Sequence, residues 1–245
     1  MNTRRILILS TAVLGTVLAA PAGASPKSSP THFVAPYANA ATNTSTSSCL
    51  AGTTCSPTAT ASRDTGQVVA AVDMSRSTND QSATEHAQGY GYQYLTVRAP
   101  ASATKLTATF AWHITSASSS VNATHGEVAA GSHLYAYAGC GKCTVATQLV
   151  TINESRMTAG IPSDNPSGGV QNQTAQLTIT ITDFARNANI TLYAQAAAYA
   201  NMGTGTSCYL TPAGCVVVAP PDSGHSGTAH AEIDATLTAV DLVYS

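Results

Sequence analysis

The chain has 245 residues, a formal charge of −2, and only 9% Asp, Glu, Lys and Arg, where about a quarter is usual. No basic cluster is present, which argues against nucleic acid as a partner. Ser, Thr, Asn and Gln must cover most of the surface, and so little charge gives little repulsion to oppose self-association.

Arg4 and Arg5 precede an apolar run from Ile6 to Ala20, which Pro21 breaks before Ala22-Gly23-Ala24. This is the layout of a cleavable secretory signal, and the run is short of the roughly 20 residues that cross a bilayer. Residues 1–24 therefore read as a signal peptide. Cleavage after Ala24 leaves a secreted, extracellular chain with no membrane span. Thr3-Arg4-Arg5-Ile6-Leu7 loosely fits a twin-arginine signal as well, but the short charged region and strongly apolar run favour general secretion. Arg4 and Arg5 leave with the signal, so eight of the ten basic residues remain against twelve acidic ones, a charge of −4.

Residues 25–62 are rich in Ser, Thr, Ala and Pro and show no apolar period. They read as an N-terminal arm or linker, with His32-Phe33-Val34 and Tyr37 available to dock it on a domain over 63–245. In that domain the dominant period is two. Ala175, Leu177, Ile179 and Ile181 alternate with Gln176, Thr178, Thr180 and Thr182. A strand sends successive side chains to opposite faces, so this segment has one buried and one wet side. Leu106 to Ile114, Ile190 to Ala198 and Ala229 to Leu242 repeat the pattern. In the last of these the phase slips near Ala239–Val240, as a β-bulge would cause. Weaker strands are expected at Gln67–Val72, Tyr90–Arg98, Ser132–Ala138 and Thr144–Ile152, and a short helix within Thr78–Gln88. The expected fold is all-β: an antiparallel two-sheet β-sandwich of jelly-roll or other Greek-key type with about eight or more strands, Phe110 and Trp112 filling its core.

Six cysteines in an exported chain suggest disulfides. They lie in close couples around Gly or Pro turns, so nearest-neighbour pairing is expected: Cys49 with Cys55, Cys140 with Cys143, Cys208 with Cys215. Cys140-Gly141-Lys142-Cys143 has redox spacing, but strand-like segments flank it. Without the helix that lowers a thiol pKa, it reads as a structural bridge at a hairpin tip.

Tyrosine marks the candidate binding surface. Tyr90, Tyr92 and Tyr94 share one face of a strand, as do Tyr135 with Tyr137 and Tyr193 with Tyr199. Such rings suit half-buried sheets. They also offer flat apolar surface with a hydroxyl rim, on which a sugar can stack while Asn, Gln and Asp complete its hydrogen bonds. His230, Glu232 and Asp234 share one face of another strand and are candidate metal ligands or an acid/base set. Same-face neighbours stand about 7 Å apart, so such a site would need ligands from adjacent strands.

No HExxH, GxSxG or cofactor fingerprint occurs, and no cofactor is expected. The leading expectation is a non-enzymatic extracellular binding or structural module. Its partner would be an extracellular glycan, a surface protein or a second copy. The alternatives are a secreted hydrolase or metal-dependent enzyme at His230, Glu232 and Asp234, and an inhibitor-like module built on the Cys208–Cys215 loop.

Overall fold

The structure, a computed structural model, describes residues 31–34, 39–45, 49–80, 83–159, 166–203, 208–211, 214–217 and 224–245. Residues 1–24, expected to be a signal peptide, lie outside them, as do the side chains of Cys208 and Cys215. Among the described residues there is no helix. The strands are β1 (Thr31–Val34), β2 (Asn39–Ser45), β3 (Thr53–Ala61), β4 (Gln67–Arg76), β5 (Glu85–Arg98), β6 (Lys105–His125) and β7 (Glu127–Gly139), followed by β8 (Thr144–Ala146), β9 (Gln148–Thr158), β10 (Ser167–Thr182), β11 (Asn189–Gly203), β12 (Cys208–Thr211), β13 (Gly214–Val217) and β14 (Ser226–Tyr244).

Eight of these strands form a rolled antiparallel ribbon. β4 pairs with β14, β5 with β11, β6 with β10 and β7 with β9. Among the eight this joins first to last, second to seventh, third to sixth and fourth to fifth. The roll divides into two sheets, ordered β4-β14-β6-β10 and β5-β11-β7-β9, and is a jelly-roll β-sandwich. β3 and β8 extend the first sheet at its two edges, β1 pairs with β14 beyond the end of β4, and β2 extends the second sheet beside β5. β12 and β13 form a separate hairpin.

The period-two segments supply the core. Leu177, Ile179 and Ile181 of β10 are fully buried, as are Leu106, Phe110, Trp112 and Ile114 of β6. Burying each such side chain contributes about 1.5–3 kcal/mol. Where β14 runs beside β6 the register shifts between Leu237 and Ala239, leaving Thr238 as the extra residue. Its hydroxyl donates to the Ala111 carbonyl. This is the bulge that the slipped phase of the sequence implies.

β1, β2 and β3 lie in the segment whose composition reads as an arm, and they run along sheet edges. β3 turns Ala59 and Ala61 against the core. Its Pro57 sits on the outermost strand, where a missing N–H need break no ladder bond. Glu85–Gln88, expected to be helical, opens β5 instead. The inward positions of β5 are Glu85, Ala87, Gly89, Gly91 and Gln93. These are small or polar, so no apolar period shows on that side. Inward Glu85 is held by Arg76, whose Nη1 donates to its Oε1 at 3.3 Å and to the Ala51 carbonyl at 3.0 Å.

The Cys49–Cys55 and Cys140–Cys143 disulfides are both formed. Cys49–Cys55 lies where the chain passes from β2 in the second sheet to β3 in the first. Cys140–Cys143 lies where it passes from β7 in the second sheet to β8 in the first. The CGKC turn is thus a crossover between sheets rather than a hairpin tip, with Gly141 at φ 64°.

Candidate functional site

The three groups of tyrosines become one surface. β11 lies between β5 and β7, and its outward residues pair with theirs. Tyr193 stands between Tyr94 and Tyr137 in one row across the strands. Gln195 stands between Tyr92 and Tyr135 in the next, and Ala197 between Tyr90 and His133 in the third. Tyr199 follows, between Gln88 and Gly131. Seven of the chain's ten tyrosines thus occupy the outer face of the second sheet, each half-buried.

The rings support one another. Tyr137 and Tyr193 have centroids 4.6 Å apart and planes within 6°. Rings that close would collide side by side, so these two lie face to face with an offset. Tyr135 and Tyr137, at 5.1 Å and 24°, do the same. Part of the ring area expected to be open to a sugar is therefore spent on neighbouring rings. Tyr90, Tyr92 and Tyr94 are more widely spaced along β5, at 6.5 and 6.0 Å. This column is flanked by amides, with Asn39 and Asn43 of β2 opposite Tyr94 and Tyr90. The Asn43 side chain donates to the Tyr90 hydroxyl at 2.8 Å.

Packing raises the phenol pKa of Tyr137 and of Tyr199. Tyr137 is pushed up to about 12, chiefly by burial and then by the neighbouring Tyr92 and Tyr193. Tyr199 is raised by burial and by Glu154. Two histidines not singled out from the sequence as binding residues join the face. The His133 ring lies 5.6 Å from that of Tyr199, and burial, then His86, holds its pKa below the usual value. His86 Nδ1 meets Asn201 Oδ1. At Gly131 a Cβ would stand 2.5 Å from the Asn153 carbonyl oxygen of β9 and 2.8 Å from the Tyr199 hydroxyl, so glycine there admits both the neighbouring strand and that ring. Strand order alone makes these neighbours, and no local pattern announces it.

His230, Glu232 and Asp234 share the outer face of the other sheet, but each has its own partner. His230 Nδ1 lies 2.8 Å from Asp73 Oδ1 on β4. Glu232 accepts from Ser118 on β6 at 3.0 Å, and Asp234 accepts from Gln67 on β4 at 2.8 Å. Among the described residues no three His, Cys, Asp or Glu side chains converge to hold a metal. His113 lies on this first sheet, opposite Thr236 and Thr174, and His133 on the second. The Cys208–Cys215 pairing falls on side chains outside the described residues, although β12 and β13 form a hairpin there.

No known protein family matches the chain, and no curated protein matches it. Two solved structures show a remote likeness. One is TmCBM61 in complex with β-1,4-galactotriose, 12% identical, covering 60% of this chain and 88% of that one, with a TM-score of 0.16. The other is the enzymatically active domain of bacteriophage CBA120 tailspike protein 4, 13% identical, covering 76% of this chain and 19% of that one, also with a TM-score of 0.16. Likeness at this level carries no argument about either fold or function. The two disulfides fit a protein that works outside the cytoplasm. Among the described residues no helix is long and apolar enough to cross a membrane.

Proposed function

We propose that this protein is a secreted, non-enzymatic binding module, and that the tyrosine face of its second sheet holds an extracellular glycan. One observation carries the reading: seven tyrosines from three strands gather on a single outer face, although a sandwich needs no aromatic residue there. Rings with hydroxyl rims, interleaved with Asn and Gln, match a ligand that presents both C–H faces and hydroxyls. Mutual stacking holds the rings in place before a ligand arrives, so little side-chain freedom is lost on binding.

Gel retardation on a panel of polysaccharides, with light scattering in parallel, tests the reading. The double variant Tyr90→Ala/Tyr92→Ala should weaken binding about tenfold or more, since buried aromatic contacts typically contribute above 1 kcal/mol each. Its melting temperature should fall only slightly, because both rings project from the core. A monomer retarded by no polysaccharide would end this proposal. So would a double variant that binds like the parent.

A further inference from the structure

The binding face carries no charge across its three central rows, and this has a chemical consequence. Asn39, Tyr94, Tyr193 and Tyr137 make the first row. Ala41, Tyr92, Gln195, Tyr135 and Leu149 make the second, and Asn43, Tyr90, Ala197, His133 and Thr151 the third. No Lys, Arg, Asp or Glu stands among them. Burial, then His86, holds the pKa of His133 below its usual value, which disfavours the imidazolium. Two cations flank these rows on the same face: Arg156 of β9, which donates through Nε to Glu127 at 2.6 Å, and Arg98 of β5, two rows beyond Tyr94 and opposite Asn189. Glu154 stands on the same strand as Arg156.

We infer that the tyrosine face selects neutral, hydroxyl-bearing polysaccharide and rejects polyuronate or sulfated chains. This rests on the glycan-binding reading and adds the substrate class. Every polar group in the rows, whether amide, hydroxyl or uncharged imidazole, offers both a donor and an acceptor or can do so by rotation. A sugar hydroxyl has the same dual character, so each finds a partner whichever way its hydrogen points. A carboxylate or sulfate only accepts, and it binds strongly where cationic donors meet it. Here it would lose its water against aromatic rings with no cation among the three rows to compensate. The net negative charge of the chain opposes a polyanion further. Binding without counterion release should not depend on salt.

The experiment is affinity electrophoresis of the whole secreted protein. The neutral gels contain hydroxyethylcellulose, glucomannan or xyloglucan, and the acidic gels polygalacturonate or alginate, each run at 50 and 500 mM NaCl. At least one neutral gel should retard the protein, with less than a twofold change between the two salt concentrations, and the acidic gels should not retard it. Gln195→Lys, which sets a cation in the middle row, should introduce salt-sensitive retardation in polygalacturonate. Retardation by acidic gels as strong as by neutral ones would overturn this inference and leave glycan binding intact. So would a tenfold loss in high salt, or a Gln195→Lys variant indifferent to polygalacturonate. Retardation in none of the gels would remove the glycan-binding reading, and this inference with it.

Discussion

At the scale of single residues, packing within the tyrosine face acts most plainly on Tyr137. Tyr137 stacks with Tyr135 and Tyr193, and its phenol is pushed from 10.0 to about 12 by burial and by neighbours that would repel a phenolate. A phenol whose pKa is raised on folding holds its proton more tightly in the folded state than in the unfolded chain. The linked stability is fully present below the unfolded value near 10 and is lost as pH rises from there through about 12. Titration followed by phenolate absorbance should therefore show a late component near pH 12 that Tyr137→Phe diminishes. Chemical denaturation should show stability falling between pH 10 and 12, with a shallower fall in Tyr137→Phe. A Tyr137→Phe profile that overlays the parent would mean the ring is not packed as described.

At the scale of elements, β5 shows both what periodicity reveals and what it hides. Its outward side declared itself through Tyr90, Tyr92 and Tyr94. Its inward side did not, because Ala87, Gly89 and Gly91 are small enough to let the two sheets close on one another. A Cβ on Gly89 would stand 2.2 Å from the Thr58 carbonyl oxygen and 2.9 Å from that of Ala71, both backbone atoms of the opposite sheet. Gly89→Ala must therefore push strands apart, at a cost of about 1–3 kcal/mol, measurable as a lower denaturation midpoint with an unchanged slope. An unaffected midpoint would contradict this close approach. β6 teaches the same lesson differently. Its first half was legible from Leu106 to Ile114, whereas the half after Thr115 is Ser-rich and shifts phase, burying Ala117, Ser119, Val121 and Ala123 instead of the even-numbered positions. Pairing on both sides, to β14 and β10, carries the strand through that weak stretch. The candidate site was legible as tyrosines on single strands. Their union was not, because a two-residue period says which face a side chain takes and nothing about which strand lies beside it.

At the scale of the whole molecule, the rolled ribbon explains where the described disulfides sit. The core is continuous, and the chain must pass repeatedly between sheets. Cys49–Cys55 closes one passage at the β2/β3 edge, and Cys140–Cys143 closes another at the opposite edge, near β8 and β9. Their sequence separations are 6 and 3, and loops this short restrict the unfolded chain by only about 2 kcal/mol each. The bridges lie at opposite edges with no shared partner, so their contributions should add to within about 0.5 kcal/mol. Cys49→Ala/Cys55→Ala and Cys140→Ala/Cys143→Ala should each lower unfolding stability by about 2 kcal/mol, and the combined variant by about 4 kcal/mol. All three should keep the sheet signature in far-ultraviolet circular dichroism and retain the tyrosine face. A combined loss far above the sum would mean that the two edges unfold as one coupled unit. A collapse of the fold on removing either bridge would mean that covalent crossovers, rather than the alternating core of β6, β10, β11 and β14, hold the sheets together.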